Sequence, residues 1–236
     1  MPPRFTTLMA AGWLAFTTGC AGSYQLIRPK SINTYTPSAS TGPVSLEYQF
    51  DALRLRHANK KYVKKEDKFG YRVVAVKVTN NWDREVNFTR DLNLLYGERS
   101  IGIVPSAVAA HDLRQGVAIY LLYLLLNVQV GGTTDPRTGQ ASGGTFLPTG
   151  PFITGGNMLG ASGANANLRK EFAAYDLTNR VLKPGETAYG ILSLRETAVA
   201  PIRLEPRAGL VQPGLPTPPP AGALPDTAPA SAPASR

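Results

Sequence analysis

The sequence predicts a mainly β fold: a β-sandwich interrupted by an apolar α-helical hairpin and flanked by segments without a core. Three observations predict it. Short runs of alternating apolar and polar residues recur on both sides of the chain's middle, separated by Asn, Gly and Pro turn signals. Between them, residues 116–130 carry no charge. The last stretch, 206–236, is dominated by Pro and Ala and cannot bury enough apolar surface to offset its ordering entropy. The expected organisation is a leader over 1–19, a linker over 20–42 and one folded body over 43–205. An insertion interrupts the body at about 106–183, and a disordered tail follows over 206–236.

The body opens with VSLEYQF. Val44, Leu46, Tyr48 and Phe50 alternate with Ser45, Glu47 and Gln49, the period of a strand with one buried face. Leu53 and Leu55 resume on the opposite parity, which predicts a bulge near Asp51-Ala52. HANKKYVKKEDKFG reads as a polar connection. YRVVAVKVTNN reads as a strand ending in an Asn-Asn turn, and EVNFTR, LNLLYG and SIGIVP as short strands. After the insertion, VLKPGETAYGILSLRE supplies a Pro-Gly turn and a strand. Ala188, Gly190, Leu192 and Leu194 share one face of it; Tyr189, Ile191 and Ser193 share the other. PIRLEP supplies a last short strand. The pair VAVKVTNNWDREVNF and LKPGETAYGILSL resembles immunoglobulin-like modules of bacterial envelope proteins, in which a strand ending in Thr-Asn precedes a hairpin and a Pro-Gly turn introduces a late strand. The resemblance implies an immunoglobulin-like sandwich and brings no catalytic residue with it.

Within the insertion, Val117 to Leu126 are apolar all round, the mark of a helix buried on every side or facing lipid; a buried strand fits the same residues. As a helix, 116–130 would be ~22 Å long against ~30 Å of hydrocarbon, too short to span easily. Gly156, Gly160 and Ala164 recur every four residues. They form either a small-residue stripe for the Leu-rich helix to approach or a flexible glycine loop. From Asn167, Leu168, Phe172 and Tyr175 oppose Arg169, Lys170 and Glu171, which predicts a helix to about Asn179. The hairpin packs against the sheet as extra core in the first reading. In the second, Val117, Ile119, Leu121, Leu122, Leu124 and Leu125 meet the membrane or an envelope partner, because so apolar a patch is costly to leave in water.

Cys20 is the single cysteine. Before it, Arg4 supplies a positive start and Leu8 to Phe16 a short apolar run, the plan of a secretory leader. Thr17-Thr18-Gly19-Cys20 resembles the lipobox of bacterial lipoproteins, with Thr17 where that family usually has Leu. The resemblance implies cleavage before Cys20 and lipidation of it, with several acyl chains forming a stable tether. Ala21 stands where an Asp would resemble the inner-membrane retention signal, and AGSYQL lacks the acidic run that resembles a surface-export signal. The expected location is the periplasmic face of the outer membrane.

The formal charge is +9, of which Arg4 contributes one, leaving +8 from Cys20 onward. A basic exported protein meets anionic headgroups or envelope polymers, and nucleic acid is not an expected partner. Lys60, Lys61, Lys64, Lys65 and Lys68 form a basic run beside His57, either an anion-binding cluster or a solvated hairpin. The two histidines, His57 and His111, lie far apart, and no metal-ligand spacing or phosphate loop is present in the sequence. No cofactor, metal or catalytic residue is expected. The expected role is a non-catalytic binding or structural module of the envelope. The alternatives are an accessory lipoprotein of a secretion or transport apparatus and, without motif support, an envelope hydrolase.

Overall fold

The computed structural model describes residues 21–39, 42–126 and 128–207. The leader, Cys20 and the tail from 208 onward lie outside the described residues. The strands are β1 (Thr36–Pro37), β2 (Val44–Gln49), β3 (Arg72–Asn80), β4 (Val86–Asn87), β5 (Leu92–Tyr96), β6 (Arg99–Ser100), β7 (Ile103–Val104), β8 (Val128–Val130), β9 (Thr133–Thr134), β10 (Ala141–Ser142), β11 (Thr145–Leu147), β12 (Val181–Leu182), β13 (Thr187–Leu194) and β14 (Ile202–Pro206). The helices are α1 (Lys60–Phe69), α2 (Phe88–Asp91), α3 (Ser106–Leu113) and α4 (Gly150–Ala174), with 3-10 turns at Pro29–Ser31, His57–Asn59 and Ala118–Leu125.

The main sheet has the order β1-β2-β3-β13-β7, and a three-stranded sheet has the order β14-β5-β6; every pairing is antiparallel. Strand β2 alternates as its sequence predicts, burying Val44, Leu46 and Tyr48. These three join Val74, Val76 and Val78 of β3, Leu192 and Leu194 of β13, Leu92 and Leu94 of β5, and Ile202 and Leu204 of β14 in one core shared by both sheets. The opposite face of the main sheet is also buried. Val73, Ala75 and Ile191 meet Tyr62 of α1, Ala109, Ala110 and Leu113 of α3, and Leu168 and Phe172 of α4 in a second core. Burial on both faces explains why β3 reads as a continuous valine-rich run rather than a strict alternation.

The Asn-Asn turn is built by Asn80. Its amide donates to the carbonyls of Arg84 at 2.7 Å and Leu182 at 3.0 Å, and its Oδ1 accepts from the Trp82 N–H at 3.0 Å. Gly185 of the Pro-Gly turn takes φ 73°, a conformation open to glycine, and its N–H reaches the Asn80 carbonyl at 2.8 Å.

Several local expectations need correction. Residues after Asp51 do not resume a strand: Asp51 sits at φ 53° and its carbonyl accepts from Arg54 N at 2.8 Å, so the chain turns and buries Ala52 and Leu53 in the second core. The basic run is helix α1, not a hairpin, because Tyr62 and Glu66, four residues apart, turn one face inward, and Gly70 at φ 63° closes the last turn. EVNFTR is a strand only at β4. Asn87 then caps α2, its Oδ1 accepting from Thr89 N at 3.1 Å and Arg90 N at 2.9 Å. The insertion does hold two α-helices, α3 and α4, which meet in the second core, but its Leu-rich stretch is not one of them: Ala118–Leu125 is a 3-10 turn leading into β-hairpins, and α4 ends at Ala174. Residues 21–39 are not a loose linker, for Tyr24 and Ile27 are core residues.

Candidate functional site

Among the described residues, most of the exposed large apolar side chains lie on the insertion. Three residues per turn in a 3-10 helix stack every third side chain in one row. Ile119, Leu122 and Leu125 form such a row in Ala118–Leu125 and face solvent, Leu122 at 64% and Leu125 at 80% exposure. Leu121 and Leu124 flank them, also exposed, while Val117 is half-buried. The inward row carries Tyr120, which is buried and stacks on Tyr123 with ring centroids 6.2 Å apart. Five of the six residues predicted as a contact patch are thus exposed on this turn, whereas Val117 falls on the inward side; the first reading, extra core against the sheet, does not match the exposure of the five.

Two neighbouring elements expose further apolar side chains that the sequence did not single out. Strands β8 and β11 pair with Val128 opposite Leu147 and Gln129 opposite Phe146, leaving Val128 and Leu147 exposed on one face of the ribbon and Phe146 on the other. Helix α4 then presents Phe152 at 74% and Leu159 at 77% exposure, seven residues or two turns apart on one side. Between Arg114 and Arg169 the chain carries only Asp135 and Arg137, both at the far end of the ribbon. Among the described residues no helix is long and apolar enough to cross a membrane. The 3-10 turn and α4 are locked together at Gly150, where a Cβ would fall 2.5 Å from the Leu124 carbonyl oxygen. The glycine stripe further along has a different role: Gly156 faces open space and Gly160 meets Ala21.

The basic run borders this surface. On α1, Lys60, Lys64 and Lys68 form one exposed row, and Lys61 and Lys65 a half-buried one beside it. Lys61 donates to the Tyr120 hydroxyl at 2.7 Å and lies 5.2 Å from that ring's centroid, and Lys65 covers the Phe69 ring at 5.6 Å. His57 and His111 are exposed on separate elements, and His111 pairs with Asp112 beside it at 3.2 Å.

The residues that sequence reasoning missed hold the segment before the domain. The Ala21 N–H donates to Asn157 Oδ1 at 2.7 Å, on α4. Gln115 accepts from the Gly22 N–H at 3.1 Å and donates to the Gly22 carbonyl at 2.6 Å. Asn59 makes the same two-way pairing with Gln25, at 2.8 and 2.9 Å. The buried Glu171 carboxylate accepts from the Tyr24 hydroxyl at 2.6 Å and from the N–H groups of Ile27 at 3.0 Å and Arg28 at 2.8 Å. Burial first, and Glu171 second, raise the pKa of Tyr24 and hold its hydroxyl protonated as a donor. Burial also pushes the Tyr62 hydroxyl, which donates to Asn165, up to about 12. Isolated amides and one glutamate on a polar helix carry no pattern that would have flagged them. An open groove of about 510 Å³ beside this strap is lined by Leu26, Arg28, Lys30, Lys170 and Tyr175, with Glu171 as its carboxylate.

No family model matches the chain, and no curated protein or solved structure matches it.

Proposed function

We propose that the chain is a lipid-anchored, non-catalytic binding or structural module of the bacterial cell envelope, held on the periplasmic face of the outer membrane through Cys20. Its sheets form an immunoglobulin-like sandwich, and its contact face is the exposed leucine row of Ala118–Leu125. One observation carries the reading: five apolar side chains of one 3-10 turn, Ile119, Leu121, Leu122, Leu124 and Leu125, are exposed in a region nearly without charge. The lipobox-like stretch ending at Cys20 supports the anchor, and the turns at Asn80 and Gly185 support the sandwich type.

Two experiments test it in cells. Metabolic labelling with palmitate should mark the wild type and not Cys20→Ser; equal labelling of both removes the anchor from the reading. A photoreactive side chain at Leu125 should capture lipid or protein, whereas one at the exposed Arg99 of the three-stranded sheet should not. Capture at Arg99 alone moves the contact face to the sheets. A protein adduct of defined mass at Leu125 turns the reading toward an accessory subunit of a larger apparatus.

A further inference from the structure

We propose that the apolar surface rests on the same bilayer that holds the chain's own acyl anchor, so that the domain lies flush on the membrane instead of hanging from a slack tether. This rests on the contact face proposed above and names its occupant. The first argument is where the anchor leaves the domain. Ala21, which Cys20 directly precedes in the sequence, is fixed by Asn157 on α4, and its methyl lies against Gly160. Gly22 pairs with Gln115, which stands just before the 3-10 turn, so an anchor attached at this end of the strap meets a bilayer beside that turn. The strap allows no retreat, because Gln115, Asn59 and Glu171 hold Gly22, Gln25, Ile27 and Arg28 at their backbone.

The second argument is the layering of chemistry outward from that point. The backbone of the 3-10 turn, at the carbonyls of Tyr123 and Leu124, packs against the start of α4 at Gly150 and leaves the row of Ile119, Leu122 and Leu125 facing solvent. Behind the row stand Tyr120 and Tyr123, residues suited to the boundary between hydrocarbon and headgroup. Lys61, bonded to Tyr120, leads to the exposed Lys60, Lys64 and Lys68. Apolar side chains, then tyrosines, then lysines is the order that an anionic leaflet presents in reverse. A shallow, one-sided insertion also accounts for an uncharged stretch too short to cross the bilayer.

The test uses the mature chain with Cys20→Ser, which lacks acyl chains and has no other cysteine. It is floated with vesicles of phosphatidylethanolamine and phosphatidylglycerol, with phosphatidylcholine vesicles as control, and its size is measured by light scattering. The expected result is flotation with the anionic vesicles. Leu122→Asp with Leu125→Asp should reduce it at least tenfold, and Lys60→Glu with Lys64→Glu should reduce it severalfold. Because these side chains are exposed, the variants should melt like the parent. An environment-sensitive dye on Leu121→Cys should brighten with vesicles, and the same dye on Arg99→Cys should not. A soluble dimer that Leu125→Asp converts to monomer overturns the bilayer and makes the occupant a second copy, leaving the contact face intact. Flotation unchanged by the leucine variants overturns the proposal and leaves the lysines as the only membrane contact. A chain that neither floats nor associates also overturns it, and photocapture at Leu125 then decides the contact face separately.

Discussion

Two buried glutamates face opposite circumstances. Glu171 has three donors and ties the strap to α4. Glu66 on α1 has one, the Val73 N–H at 2.7 Å on Oε1, and its Oε2 is buried without a hydrogen-bond partner among the described residues. Burial pushes the Glu66 carboxyl up to about 7, against the partial relief of the Val73 bond. Its folded pKa lies above the unfolded one, so its stabilising contribution is full below the ordinary carboxylate range and fades as pH rises through about 7. The change is on the order of 3 kcal/mol at ~1.4 kcal/mol per pKa unit. The unfolding free energy of the wild type from urea titration should therefore fall between pH 5 and pH 8 by about that amount, and Glu66→Gln should flatten the slope. An equal slope in both proteins would assign the pH dependence to other groups.

At the scale of elements, glycines of α4 report what touches the helix. Gly150 admits the carbonyls of Tyr123 and Leu124, and a Cβ there would lie 2.6 and 2.5 Å from them. Since backbone cannot rotate away, Gly150→Ala should destabilise by about 1–3 kcal/mol, with loosening of the 3-10 turn visible in hydrogen exchange. Gly156, whose Cβ would meet nothing within 4 Å, should behave in the opposite way. Gly156→Ala should stabilise by about 0.5–1 kcal/mol through helix propensity alone. Equal effects at both sites would mean that the 3-10 turn does not bear on α4. Strand identity was largely legible at this scale: β2, β3, β5, β13 and β14 follow their alternation or valine-rich runs, and Asn80 and Gly185 mark their turns. Helix α1 was not, because five lysines conceal a two-residue inner face of Tyr62 and Glu66.

For the whole molecule, the main sheet lies between a second sheet on one face and helices on the other, and the strap seals the helical layer. Deleting residues 21–32 would remove the fully buried Ile27, worth ~2–3 kcal/mol of burial, and leave Glu171 without its donors. A melting temperature lowered by several degrees is expected; an unchanged one would mean that the segment is only a spacer. The sequence by itself determined the strands, their turns, the uncharged stretch and a candidate anchor at Cys20, since period, turn residues and charge are local properties read along the chain. Only the tertiary structure decided that the strap is core and that the leucine row is surface. Burial depends on what a distant segment offers: Tyr24 and Ile27 find Glu171, 147 and 144 residues away, while the side chains of Leu122 and Leu125 stay mostly exposed.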